Sequence, residues 1–243
     1  MTARQSTIHQ KMPDETKKSQ PHIGTLNESS LHAALKLHYE CEGDASEAPV
    51  NGYVVDLLRL EKSGPHIIEI QTTSFASMKK KLNALLATHT IKIVYPVPIE
   101  TTLLKPGKTP RKSPKKGNIY NIFSELVSIT DQLKHPNLSF DVVLVSINKL
   151  QEFEKNLRRN RGGYRTINTE LVSIHEIHHF CGLHDLMSLL PEDLPEKFTT
   201  ADIAQKGKIP RNIAQQMAYC FRKTELIAEI TQSKSGKVYE RVS

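Results

Sequence analysis

Hydrophobic and polar positions recur with two different periods along this chain. Leu31, Ala34, Leu35 and His38 are spaced by three and four. That spacing predicts an amphipathic helix, capped by Thr25 or Asn27, with Glu28 in its first turn and Gly43 at its end. The pattern then changes to short β-branched runs. Residues 52–56 and 65–71 read as two strands joined by the turn Glu61-Lys62-Ser63-Gly64. Helical spacing returns over 74–89, with Met78, Leu82, Leu85 and Leu86 inward and Lys79, Lys80 and Lys81 outward. Residues 90–96 form a third strand that Pro96 closes. Residues 119–132 predict a helix with Ile119, Ile122, Phe123 and Leu126 inward, and the apolar run 140–147 predicts a buried strand.

The texture changes after Pro191 and Pro195. A short helix begins near Phe198, Lys206-Gly207-Lys208 makes a turn, and Pro210 suits the first turn of a longer helix ending near Lys223. Residues 226–230 and 237–242 are two short strands around Ser233-Lys234-Ser235-Gly236. Helix, turn, helix and β-hairpin in this order predict a winged helix-turn-helix over 192–243. Its recognition helix starts at Arg211 and Asn212, and Lys234 and Lys237 flank the wing. The preceding unit spans 23–190. Residues 1–22 are almost free of apolar side chains and read as a disordered tail.

Within the two strands the polar positions carry chemistry. Asp56 ends the first run, and Glu69 and Gln71 lie in the second. Side chains alternate along a strand, so Glu69 and Gln71 share a face, and a hairpin brings Asp56 beside Glu69. Two carboxylates placed together repel, and a hard divalent cation, Mg²⁺ or Mn²⁺, resolves the repulsion.

Charge points to an anionic partner. The 243 residues carry a formal net charge of +7, and six Lys or Arg and no acid lie in residues 105–117. Proline and glycine make that segment a loop, and Arg111, Lys112, Ser113, Lys115 and Lys116 suit a phosphate clamp. A second basic cluster holds Arg158, Arg159, Arg161 and Arg165. No apolar run is long enough to predict a membrane span. Cys41, Cys181 and Cys220 are far apart and odd in number, which favours a reduced, cytoplasmic protein.

A helix with Glu28, a strand with Asp56, a strand with Glu69-x-Gln71 and a following helix resemble the core of the PD-(D/E)XK nuclease superfamily over residues 24–98. The resemblance implies an α/β fold with a restriction-endonuclease-like mixed sheet flanked by helices, followed by the small winged helix. It implies a Mg²⁺- or Mn²⁺-dependent DNA endonuclease in which Asp56 and Glu69 hold the metal, Gln71 orients water and Glu28 reaches the metal through water. The superfamily usually has lysine at the Gln71 position. A lysine of the next helix, Lys79, Lys80 or Lys81, replaces it in this reading. The other reading of the same residues is a non-catalytic DNA-binding protein that keeps the nuclease fold. Self-association as a homodimer is compatible with both.

A rival motif lies at His175-Glu176-Ile177-His178-His179. As letters it is HExxH, the pattern of a zinc metalloprotease with His175 and His179 as ligands, Asp185 or His184 as a third and Glu176 as general base. Leu171-Val172-Ser173-Ile174 leads into it with strand alternation, so residues 170–180 predict a strand, with a short helix over 183–190.

Overall fold

The computed structural model describes residues 29–155, 163–233 and 236–242. Helix α1 (Ser30–Tyr39) is capped by Ser29, whose hydroxyl accepts the His32 N–H. Thr25, Asn27 and Glu28 lie outside the described residues, as does the expected 1–22 tail. Leu31 and Leu35 are buried, as the spacing predicts, but His38 is exposed and the helix ends at Tyr39 instead of Gly43.

Three antiparallel strands follow: β1 (Ala45–Val50), β2 (Tyr53–Glu61) and β3 (Gly64–Ile70). The sequence reading has no counterpart for β1. Its polar residues and Pro49 are poor strand formers, but it is an edge strand, where a missing N–H costs little. The signal for it was Asn51-Gly52, a two-residue turn with φ of 46° and 81° between the paired Val50 and Tyr53. The predicted turn between β2 and β3 forms, with Glu61 paired to Gly64.

A 3₁₀ turn at Phe75–Met78 and helix α2 (Lys79–Leu85) carry the chain over to β4 (Thr90–Leu104), parallel to β3. Pro96 does not close this strand, and β4 runs through Pro96 and Pro98. The Gln71 N–H donates to the Val94 carbonyl at 2.9 Å, so even-numbered residues of β4 turn their backbone toward β3. Beyond Gln71 β3 has ended, and the missing N–H groups of the two prolines face an edge with no ladder to break. Residues 105–117 are mostly loop, except that β5 (Arg111–Lys112) pairs with β4.

A second crossover, with another 3₁₀ turn and the short helix α3 (Phe123–Leu126), leads to β6 (Leu138–Phe153), parallel to β4. The antiparallel β7 (Tyr164–Phe180) completes a seven-stranded mixed sheet of order β1-β2-β3-β4-β6-β7, with β5 paired to β4 off this path. One face buries Leu31 and Leu35 of α1 against Leu57, Ile68, Ile70, Val94 and Val143. The other buries Phe75, Leu82, Leu85, Phe123 and Leu126 against Ile67, Ile93 and Phe140. The protein is therefore α/β, a large mixed sheet flanked by helices.

Helix α4 (Leu183–Met187) leads to the C-terminal segment: β8 (Phe198–Thr199), α5 (Thr200–Lys206), α6 (Arg211–Lys223), β9 (Ile227–Ser233) and β10 (Gly236–Arg241). Helix, turn, helix and hairpin occur in the expected order, with β8 added to make a three-stranded sheet. Pro210 stands at the N-cap of α6, just before its first turn. This segment does not keep its own core. Phe198, Ile213, Met217, Phe221 and Tyr239 belong to the same apolar cluster as the sheet face, and Phe221 meets Phe123 edge-on at 5.4 Å. Among the described residues no helix is long and apolar enough to cross a membrane.

Candidate functional site

Asp56 and Glu69 come together where the β2–β3 ladder opens. Strand pairing stops at Leu57 with Ile68, and the next N–H, that of Ile70, donates to Asp56 Oδ2 at 2.7 Å. The Asp56 carboxylate thus takes the place of a backbone partner and lies between the two strands. From the α1 side His32 Nε2 approaches the same oxygen at 3.2 Å. From the α2 side Lys81 Nζ reaches both Glu69 oxygens at 2.7 Å. Glu69 is buried with its side chain 8% exposed, and Lys81 is mostly covered at 17%.

Burial works against ionising Asp56, but the hydrogen bond and charge of His32, the Ile70 N–H and Lys81 outweigh it and hold the carboxyl below its ordinary value. Glu69 goes the other way. Burial first, and then the Asp56 charge, push it up to about 7, with Lys81 pulling against them. One carboxylate holds the negative charge and its neighbour holds a proton near neutrality.

Of the three lysines expected on the outer face of α2, Lys81 turns inward to the acids, while Lys79 pairs with Asp131 at 2.9 Å. Gln71, expected to orient water beside the acids, has its amide nitrogen engaged in the β3–α2 link. Its amide nitrogen donates to Thr73 Oγ1, the Ser74 carbonyl and Ser77 Oγ at 2.9–3.2 Å. It ties the link between β3 and α2 and so fixes the helix that carries Lys81. Ser74 caps that turn, accepting the Ala76 N–H. His32 was missed by sequence reasoning. Its only sequence signal was a polar position next to Leu31 and one turn before Lys36. Glu28 lies outside the described residues.

The chemistry of this donor set fits a hard cation in one respect. Mg²⁺ commonly takes one or two carboxylates and completes its shell with water and substrate phosphate, and Asp56 and Glu69 are two adjacent carboxylates. Among the described residues no three His, Cys, Asp or Glu side chains are placed to hold a metal on their own.

The HExxH letters lie on β7, as the strand reading predicted. Four residues of strand separate His175 from His179 by about 13 Å, too far for one zinc. His175 Nε2 lies 2.7 Å from Ser146 Oγ, and His179 Nδ1 lies 2.8 Å from Asp141 Oδ1. Glu176 neighbours His178 at 3.2 Å. Asp141 itself is buried on β6 and also accepts the Tyr39 hydroxyl at 2.9 Å, with Lys92 Nζ at 3.5 Å. Burial and the Asp141 charge push the Tyr39 hydroxyl strongly upward.

The expected nucleic-acid contacts sit apart from the acids. Arg111, Lys112, Lys115 and Lys116 are exposed, and Ser113 is half-buried. Lys112 stands 3.4 Å from Glu100. Arg211 and Asn212 open the exposed side of α6, which continues through Gln215 and Tyr219 while Ile213, Ala214, Met217 and Phe221 face inward. Lys237 pairs with Glu229 at 2.8 Å. Lys234 lies outside the described residues, as do Arg158, Arg159 and Arg161. Arg165 pairs with Glu154 at 3.0 Å.

A family model described as "Domain of unknown function (DUF8091)" matches residues 29–181. The chain belongs to this family. The match takes in α1, the whole seven-stranded sheet and both groups of residues around Glu69 and Asp141. The chain is also 28% identical over 190 residues to an "Uncharacterized protein" of Treponema pallidum (strain Nichols), covering 76% of this chain and 74% of that protein. No solved structure matches the chain.

Proposed function

We propose that this protein is a DNA-binding hydrolase of the PD-(D/E)XK nuclease type, cleaving phosphodiesters with Mg²⁺ or Mn²⁺ at Asp56 and Glu69. The carrying observation is the acid pair at the opening of the β2–β3 ladder, Glu69 buried and Asp56 half-buried, with Lys81 against Glu69 at 2.7 Å. The order α1-β1-β2-β3-α2-β4, with acids on the second and third strands, supports the same reading.

When bound, the metal supplies Lewis-acid activation of water and neutralises phosphate charge. Asp56, kept ionised, and Glu69, once deprotonated, would hold the metal. Lys81, beside Glu69, would bring one positive charge to the place where negative charge develops. His32 holds the Asp56 carboxylate in orientation from the far side. The exposed cations of the 105–117 segment and the Arg211–Asn212 end of α6 bind the DNA backbone and position it.

The test is plasmid incubated with pure protein and Mg²⁺ or Mn²⁺. Cleavage is expected, and Asp56→Ala and Glu69→Ala each reduce it at least 10²-fold. Cleavage that survives both substitutions places the reaction elsewhere.

One observation favours the second reading, a DNA-binding module without cleavage. Gln71 is engaged in the β3–α2 link, and Lys81 already occupies both Glu69 oxygens. Under that reading the protein binds DNA and cuts it with neither metal.

A further inference from the structure

We infer that the acid pair and the basic segment form one phosphate track in line along a single edge of β4, and that its fitting ligand is duplex DNA over about one helical turn. The inference rests on the reading of Asp56 and Glu69 as a phosphodiester site.

The edge is shared by two segments in succession. β3 occupies it first, with Glu69 opposite Ile93 and the Gln71 N–H on the Val94 carbonyl. There β3 stops. The 105–117 segment then runs back along the same edge. Lys112 pairs with Thr102 and Arg111 with Leu103, Ser113 N–H donates to the Thr101 carbonyl at 2.8 Å, and Gly117 N–H donates to the Pro98 carbonyl at 2.8 Å. Its cations are therefore lined up with β3 rather than spread around the molecule.

The register gives a length. Along β4 the basic segment extends from five residues beyond the Glu69 position, at Pro98, to ten beyond it, at Leu103. At about 3.3 Å per residue that is about 16 to about 33 Å. One turn of B-DNA advances about 34 Å, so a duplex lying on this edge meets the acid pair and the far cations about one turn apart.

The composition suits phosphate. Between residues 98 and 117 stand six Lys or Arg and one acid, Glu100, with no large apolar side chain from 105 to 117. Lys105 and Lys108 close the far end, held over the Tyr164 ring at 3.8 and 5.1 Å. Lys105 covers the Tyr164 ring, while Phe153, edge-on to it at 5.6 Å, stays exposed. The choice of duplex over single strand therefore rests on the length of the track, and a single strand stacking on Phe153 is the outcome that would overturn it.

The test measures binding of the full chain in EDTA to labelled duplexes of about 8, 12, 16 and 24 base pairs and to a single strand of about 24 nucleotides, across a salt series. Affinity should climb steeply until the duplex reaches about 12 base pairs, just over one turn. The single strand should bind at least tenfold more weakly. The exposed quadruple variant Arg111→Gln, Lys112→Gln, Lys115→Gln and Lys116→Gln should lower the slope of log affinity against log salt by about 3 to 4. An unchanged slope, or equal affinity for the single strand, overturns the track. Plasmid cleavage that depends on Asp56 and Glu69, together with an unchanged slope, removes the track and leaves the hydrolase reading standing. A slope that falls as expected, with no cleavage under either metal, removes the hydrolase and leaves the duplex track.

Discussion

Glu69 and Asp141 are both carboxylates buried in the same sheet, and their surroundings are opposite in kind. Asp141 is met by a hydroxyl, an imidazole and an ammonium: Tyr39, His179 and Lys92. Glu69 has one cation, Lys81, and a second carboxylate, Asp56, as its neighbour. A buried carboxylate surrounded by donors is a structural tie between elements, here linking α1, β4, β6 and β7. A buried carboxylate held beside another carboxylate is an unfavourable arrangement that a cation relieves. The difference separates a brace from a candidate site, though both look alike as single acidic letters in apolar runs.

The strongest way to break that comparison is to remove each acid. Asp141→Ala should cost about 3–5 kcal/mol in urea unfolding at pH 7, because three donors lose a buried partner. Glu69→Gln, which also relieves repulsion with Asp56, should cost far less. Equal losses would make both acids braces.

The pH dependence sharpens it next. Glu69 is raised from 4.5 to about 7 in the folded state, so the native protein holds a proton there that the unfolded chain releases earlier. Its contribution is fully present below about pH 4.5 and is lost as pH rises to about 7. The loss is about 3 kcal/mol at 1.36 kcal/mol per pKa unit. Asp56, held low, has the opposite sign: its contribution is present at neutral pH and is lost as pH falls through its folded pKa. Unfolding of the wild type compared with Glu69→Gln across pH 4–8 isolates the first effect, and a wild-type curve as flat as the variant's removes the raised Glu69.

Metal addition is a smaller effect of the same origin. At pH 8, Mg²⁺ at ten times its Kd should stabilise the protein by about 1.4 kcal/mol, read as a rise in Tm. The rise should shrink at pH 6, where Glu69 keeps its proton, and vanish in Asp56→Ala. A rise that Asp56→Ala leaves intact puts the cation elsewhere.

The smallest expected change is at His179. Its side chain is 62% exposed, so His179→Ala should cost about 1 kcal/mol and leave DNA binding unchanged. A bound zinc lost with this substitution would contradict the strand geometry of β7.

The acid pair was legible because alternation and a two-residue hairpin turn determine which side chains meet. Lys81 was legible only as one of three successive lysines, since the sequence does not say which residue of a short helix turns under the sheet. Gln71 was legible as a site position by its spacing from Glu69, but its amide is taken by Thr73, Ser74 and Ser77, a local competition that periodicity does not report. β1 escaped because strand propensity is weak at a solvated edge, although Asn51-Gly52 marked its turn. Pro96 misled for a related reason: proline ends a strand only where its N–H would have been needed.

The sequence by itself determined the local units: the amphipathic face of α1, the hairpin that sets Asp56 beside Glu69, the strand character of the HExxH segment, and helix-turn-helix-hairpin at the C-terminal end. These follow from periods of two and 3.6 residues and from turn residues, all of which act between near neighbours. Only the tertiary structure decided that His32 and Lys81 reach the acids from opposite faces, that Asp141 gathers Tyr39, Lys92 and His179, that the C-terminal segment shares the main core, and that the basic segment lines the edge of β4 after β3 stops. Each of these depends on register and packing between segments distant in the chain, where the deciding energy comes from burial and pairing rather than from local preference.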